Sequence, residues 1–193
     1  MKPLILASTS RYRAELLRKL GLEFATHAPG VDETPLPQEP ADRLVARLAE
    51  AKARAAGAIV GPALVIGSDQ VAVCGERILG KPGTEARARA QLAELSGQTV
   101  RFLTGLCLFD SETGAIQIAV DTTRVTFRPL SATEITVYVA RESPIDCAGS
   151  FKSEGLGIAL FDAIEGKDPN ALIGLPLIDL CRMLRNAGVD VLA

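Results

Sequence analysis

An aspartate set inside an apolar run, with a lysine a short distance beyond it, is the first arrangement in this chain suited to work on a charged substrate. Leu64-Val65-Ile66-Gly67 leads into Ser68-Asp69-Gln70, the apolar run resumes at Val71 to Val73, and Gly80-Lys81-Pro82 follows the turn Cys74-Gly75-Glu76-Arg77. An ionised acid is not left unpaired in an apolar interior, so Asp69 is hydrogen-bonded, metal-bound or catalytic. Together with Lys81 it has the layout of an active-site hairpin. The plain alternative is that Asp69 caps a turn and Lys81 is solvated. Further charges lie elsewhere. Ser8-Thr9-Ser10 precedes Arg11, Tyr12 and Arg13; Asp32 and Glu33 stand in a proline-rich loop; Lys52 lies late in an alanine-rich segment; Lys152 and Glu154 sit in Cys147-Ala148-Gly149-Ser150-Phe151-Lys152-Ser153-Glu154-Gly155-Leu156-Gly157.

These side chains need elements to position them. Pro3 to Ala7 reads as a strand, Ser8 to Ser10 as a polar turn, and Arg11 to Leu20 as a helix closed by Gly21, with Ala14, Leu16, Leu17 and Leu20 on its core face. Arginines in a first helical turn oppose the macrodipole. A bound anion resolves the conflict: amides of Ser8 to Tyr12, hydroxyls of Ser8 and Ser10, and Arg13 would cradle phosphates. A serine N-cap with two solvated arginines is the simpler reading. Leu22 to Thr26 reads as a second strand, followed by the loop in which Asp32 and Glu33 are either solubilising or metal-facing. Residues 41 to 57 read as a helix with Leu44, Val45, Leu48, Ala51 and Ala55 on one apolar face, stopping at Gly57.

Beyond the hairpin, Thr84 caps a helix to Leu95, and Ser96-Gly97 ends it. Thr99 to Phe109 and Ala115 to Phe127 are strands joined around Asp110-Ser111-Glu112-Thr113-Gly114. Ser131-Ala132-Thr133-Glu134 is a capping box opening a helix to Ala140. The glycine- and serine-rich 147–157 stretch lets backbone approach a ligand, although glycines of this kind more often only make turns. Ile158 to Phe161 reads as a short strand, Asp168-Pro169-Asn170 as a turn, and Leu177 to Ala187 as a final amphipathic helix. Strands alternating with helices around a hairpin imply one α/β domain with a mixed twisted sheet flanked by helices and a cleft.

Composition removes several classes. A 48% hydrophobic content excludes disorder, and the apolar runs are too short to span a bilayer. Met1 to Ser8 lacks the longer apolar core of a signal peptide, so a cytoplasmic protein is expected, with no membrane partner. A net charge of −2 argues against nucleic-acid binding by bulk electrostatics. Cys74, Cys107, Cys147 and Cys181 match no zinc site or redox pair and read as reduced thiols. The single histidine, His27, excludes a two-histidine metal site and gives a Ser/His/Asp triad little to build on.

Taken together, Leu6-Ala7-Ser8-Thr9-Ser10 with Arg13 and Leu16-Leu17, Val31-Asp32-Glu33, Gly67-Ser68-Asp69-Gln70, Leu79-Gly80-Lys81-Pro82, Leu95-Ser96-Gly97 and Thr104-Gly105 resemble the Maf family of nucleoside triphosphate pyrophosphatases over nearly the whole chain. Gly67 to Gln70 and Cys147 to Gly155 resemble the subgroup acting on 7-methyl-GTP. The subgroup preferring dTTP and UTP has threonine after the aspartate and glutamine in place of Glu154. Arg11 stands where the family usually carries proline, but Tyr12 and Arg13 stand where an aromatic and an arginine are expected.

The resemblance implies two lobes around a central cleft, as in Maf and inosine triphosphate pyrophosphatase-like folds. It implies hydrolysis of a nucleoside triphosphate to monophosphate and diphosphate with Mg2+ or Mn2+, and a possible homodimer. Asp69 would be the proton acceptor, with Lys52 and Lys81 as further catalytic residues. Ser8, Tyr12, Arg13, Gln70 and Glu154 would bind substrate, and Glu33 and Asp69 the metal. The chemistry fits: cations position a triphosphate, carboxylates suit a hard cation, and the Tyr12 face gains about 1 to 2 kcal/mol over neutral guanine from a methylated, cationic ring. Glu154 would accept from guanine N–H groups while countering that charge. Two other readings stand beside this one: the same reaction on dTTP, UTP or another modified nucleotide, and a nucleotide-binding regulator of septum formation.

Overall fold

The computed structural model describes residues 2–193. The elements run β1 (Leu4–Leu6), α1 (Arg11–Arg18), β2 (Ala25–Thr26), α2 (Ala41–Val60), β3 (Leu64–Cys74), β4 (Arg77–Leu79), α3 (Glu85–Leu95), β5 (Thr99–Asp110), β6 (Ile116–Phe127), α4 (Ala132–Glu142), β7 (Phe161–Glu165) and α5 (Leu177–Asn186). The strands form one mixed sheet in the order β2-β1-β3-β5-β6-β7, with β4 paired to β3. β1 runs parallel to β2 and to β3, whereas β4 and β7 add antiparallel pairs. The expected α/β class with a mixed sheet flanked by helices is what is found.

The chain divides into two compact units. The first comprises residues 1–70, 104–121 and 168–193, and the second comprises 71–103 and 122–167. In the first unit, strand alternation sorts side chains onto two faces. Leu4, Leu6, Leu64, Ile66, Leu106 and Leu108 pack with Ala14, Leu16 and Leu17 of α1 and Leu180, Met183 and Leu184 of α5. Ile5, Val65, Cys107 and Phe109 pack instead with Ala49, Ala53 and Ala56 of α2. Two glycines let α2 lie against the strands: a Cβ at Gly67 would come 2.0 Å from the Ala49 carbonyl oxygen, and one at Gly105 would come 2.1 Å from that of Val45.

The second unit has an aromatic centre. Phe151 meets Phe102, Phe127 and Phe161 edge-on, with ring centroids 5.1, 5.6 and 4.7 Å apart. Ser131 and Glu134 form the expected capping box of α4, and Thr84 caps α3.

Four expectations need correction. α2 runs past Gly57 to Val60, because that glycine is buried where a Cβ would lie 2.8 Å from Phe109 Cε1, and the stop falls at Gly61 with φ of 76°. Its buried face holds Leu44, Val45, Leu48, Ala49, Lys52, Ala53 and Ala56, rotated from the stripe expected through Ala51 and Ala55. Residues 156–160 form a 3-10 turn rather than a strand, and pairing begins at Phe161. The strand expected from Leu22 shrinks to Ala25–Thr26, since Leu22 and Phe24 pack against the aliphatic core instead.

Candidate active site

The rotation of α2 is what builds the site. Lys52 lies on the buried face of the helix, and Asp69 follows Gly67 by two residues on the strand face that α2 covers. The Lys52 ammonium stands 2.7 Å from Asp69 Oδ1 and 2.6 Å from Glu33 Oε1. Lys52 and Asp69 are both buried, whereas the Glu33 side chain is 59% exposed. A lysine this buried is tolerated because two carboxylates meet it. Asp69 is thus hydrogen-bonded, one of the states the apolar run required of it.

On the opposite face of β3, Ser68 and Gln70 hold the segment before α5. The Ser68 hydroxyl lies 2.9 Å from the Gly105 carbonyl and 3.0 Å from that of Gly174. Gln70 Nε2 donates to Thr104 Oγ1 and to the carbonyls of Ala171 and Leu172, at 2.9, 2.9 and 3.1 Å. Thr104 Oγ1 also donates to the Ala171 carbonyl at 3.0 Å. Buried Asp168 completes the segment, accepting from the Asn170 amide and, at 2.6 Å, from the Ile178 amide in the first turn of α5. The Gln70 amide nitrogen, for which residue order alone suggested no target, is therefore occupied by protein.

Arg13 leans on this segment. Its Nε donates to the Gly174 carbonyl at 3.0 Å and its Nη1 reaches Ser8 Oγ at 3.5 Å. Burial lowers the guanidinium from its ordinary value, and the nearby charges of Asp69 and Glu33 oppose that shift; it stays cationic. Ser10 is the N-cap of α1, accepting from the Arg13 amide at 3.4 Å, while Ser8 Oγ accepts from the Ser10 amide at 3.1 Å. The N-cap is therefore real, and those two amides are engaged within the turn. The Tyr12 ring is covered on one face by the Arg11 guanidinium, 4.8 Å from its centroid.

The remaining candidates belong to the second unit. Lys81 is exposed beyond β4, and Glu154 is exposed between β7 and α4 in sequence, its carboxylate 3.5 Å from the Ser153 hydroxyl. Gln91 of α3 fastens both loops: its Nε2 donates to the Gly80 carbonyl at 3.3 Å, and its Oε1 accepts from Ser150. Tyr138 Oη and Glu142 hold the Lys152 and Leu156 amides at 3.0 and 3.1 Å.

No group of three or more metal-ligating side chains occurs among the described residues. Asp69 and Glu33 nevertheless turn one oxygen each toward the same cationic nitrogen. Two carboxylates converging on one positive charge suit a hard divalent ion that takes its other ligands from water and phosphate.

Sequence reasoning gave no role to Ser68 or Thr104, and missed Gly174 and Gln91. Their signal was weak, because each acts on backbone or on a partner far away in the chain. A buried carboxylate paired with a buried lysine, and an arginine over a serine-rich turn, are carried on a mixed α/β sheet. A family model described as Maf-like protein matches residues 3–187, and the chain belongs to that family. It is 59% identical over 189 residues to a protein of Nitrosococcus oceani named 7-methyl-GTP pyrophosphatase, covering 98% of this chain and 95% of the relative. Proteins of the same name from Vibrio vulnificus and Chromohalobacter salexigens are each 54% identical, covering 98% and 100% of this chain and 97% and 100% of theirs. A solved structure, that of the Staphylococcus aureus Ham1 protein, aligns at a TM-score of 0.46 and 14% identity, over 65% of this chain and 72% of its own. No described helix is long and apolar enough to cross a membrane.

Proposed function

We propose that this protein is a nucleoside triphosphate diphosphatase that converts 7-methyl-GTP to 7-methyl-GMP and diphosphate. The observation that carries the reading is Lys52 between Asp69 and Glu33, with Arg13 in the field of the same carboxylates. The names of the relatives supply the substrate.

In this reading Asp69 accepts a proton from water as its oxygen attacks phosphorus, the α–β anhydride bond breaks, and diphosphate leaves. Lys52 fixes the carboxylate so that one lone pair faces the water, and keeps its charge compensated. Arg13 and Lys81 neutralise phosphate oxygens, and Ser8 holds Arg13 in place. Asp69 and Glu33 would hold Mg2+ or Mn2+, which when bound offsets phosphate charge and acidifies the attacking water. Gln70 shapes the substrate pocket by fixing the 171–172 carbonyls. Tyr12 stacks on the cationic base through the face opposite Arg11, and Glu154 accepts from the guanine edge.

The test is diphosphate release from 7-methyl-GTP, GTP, UTP and dTTP with Mg2+ or Mn2+, using Asp69→Asn as control and Glu154→Gln as the base probe. Turnover of 7-methyl-GTP that the control loses, with preference over UTP and dTTP eroded by Glu154→Gln, is the expected result. Preference for UTP or dTTP in the unaltered protein overturns the substrate, and absence of any turnover overturns the reaction.

A further inference from the structure

Glu33 stands in a stretch of chain, residues 27 to 40, that contains no helix or strand. A carboxylate on such a loop has no element to aim it, yet this one meets a buried lysine at 2.6 Å. Something other than secondary structure must hold the loop.

The holding groups are Glu39 and Arg47. Arg47 Nε donates to Glu39 Oε1 at 2.6 Å and its Nη2 to Oε2 at 2.7 Å, a two-pronged pair. Surface ion pairs commonly contribute little, but here the Glu39 side chain is only 7% exposed and one arm of each partner is used again. Glu39 Oε2 also accepts from the Leu36 amide at 3.0 Å, and Arg47 Nη2 also donates to the Thr34 carbonyl at 3.2 Å. Asp32 Oδ1 closes the turn on the near side by accepting from the Thr34 amide at 2.9 Å. Glu33 is therefore flanked by one residue folded back on itself and one gripped from α2. Arg47 and Lys52 stand on that same helix, about 7.5 Å apart along its axis. The helix grips the loop at one point and meets its carboxylate at another. The Arg47 hydrogen bonds hold Glu39 at about 2, well below the usual carboxylate range.

We propose that the Glu39–Arg47 pair is a positioning clamp for the hydrolytic reaction, fixing the 32–39 loop so that Glu33 is presented to Lys52 and Asp69. Neither residue touches the substrate; both act through Glu33. The inference rests on the reading of Glu33 as a working site residue.

Two measurements on the full chain test it. In amide exchange by NMR, Arg47→Ala speeds exchange of the Leu36 and Thr34 amides by about tenfold or more while the amides of β3 keep their protection. In steady-state kinetics Arg47→Ala lowers kcat/KM on the order of 10²-fold, the size expected for a displaced site group. Arg47→Lys, which keeps charge but not the fork, falls between. The charge-swapped pair Glu39→Arg with Arg47→Glu recovers part of the loss. In a Glu33→Gln background Arg47→Ala adds nothing, because its effect passes through the group already removed. Losses that multiply in the double variant, or Leu36 exchange unchanged in Arg47→Ala, overturn the clamp. If the unaltered protein hydrolyses no nucleotide, the proposed function fails by that result alone. The clamp is then decided by exchange: unchanged Leu36 protection overturns it, and loss of protection upholds its hold on the loop.

Discussion

The two units hold their candidate site residues by different means. In the first, Asp69 and Lys52 are buried on a strand and a helix, and charge meets charge: Lys52 with Asp69 and Glu33, Arg47 with Glu39. In the second, Lys81 and Glu154 are exposed on loops whose backbone is tied by Gln91, Ser150, Tyr138 and Glu142. Rigid elements fix geometry more tightly than loops do. In the proposed reaction the first unit would carry the bond-breaking step, which tolerates little displacement, and the second the contacts that adapt to the ligand.

The sharpest way to break that contrast is to remove the central cation. Lys52→Ala leaves Asp69 buried with its ion-pair partner gone, a change that destabilises by about 3 kcal/mol and, in the proposed reaction, removes the means of aiming Asp69. Denaturant unfolding should register the stability loss, and diphosphate release should fall by more than 10²-fold. Lys81→Ala, an exposed change, should leave stability within about 0.5 kcal/mol while raising KM. Equal stability losses in the two variants would erase the distinction between the units.

That contrast also explains what was legible in residue order. Asp69 announced itself by polarity inside an apolar run, and the capping box at Ser131 and Glu134 by local spacing. Lys52 was recognisable as a cation but not as a buried one. In an alanine-rich helix several stripes compete, and counting lysine as polar turned the expected face away from the real one. Ile158 to Phe161 looked like strand because short apolar runs carry no period that separates strand from turn. Ser68 and Gln70 bond to carbonyls, and Gln91 to the Ser150 hydroxyl, contributed by residues far along the chain, and no local pattern reports such partners. The family resemblance named Gln70 without a partner; in the fold its amide nitrogen donates to Thr104 and to the carbonyls of Ala171 and Leu172.

Glycines offer a second, smaller test of the same difference. At Gly67 an added Cβ would meet the Ala49 carbonyl at 2.0 Å, backbone against backbone, so helix α2 must move and take Lys52 with it. At Gly155 the added atom would lie 2.9 Å from Glu142 Oε2, the end of a side chain that can shift by loosening its hold on the Leu156 amide. Gly67→Ala should therefore lose about 3 kcal/mol and most of the activity. Gly155→Ala should lose less than about 1 kcal/mol and act on substrate preference through the loop bearing Glu154. Thermal unfolding of both variants, read beside the 7-methyl-GTP to UTP rate ratio, orders them; similar melting points would contradict the backbone-contact argument.

The smallest effect is expected in acid, where each unit holds a carboxylate against a cation. Glu134, paired with Arg128 and accepting from Ser131, sits at about 2, below its ordinary 4.5. In the first unit Asp110, hydrogen-bonded first by Lys2, sits at about 2, below 3.8. A carboxylate depressed in the folded state binds its proton more readily when unfolded. Its contribution is complete above the unfolded value and is lost as pH falls toward about 2, so unfolding should become easier between pH 4.5 and 2 and not between 7 and 5. Glu134→Gln keeps an acceptor for the N-cap amide of α4 but removes the titrating charge. Melting temperatures followed from pH 7 to pH 2.5 should therefore fall less steeply in this variant than in the unaltered protein. The variant should start slightly lower at pH 7, where the Arg128 pair is missing. The acid slope of diphosphate release, recorded on the same samples, should not change, since the capping box lies outside the Lys52 cluster. A parallel change in both slopes would mean that α4 feeds directly into the reaction, and would end the division of labour drawn between the two units.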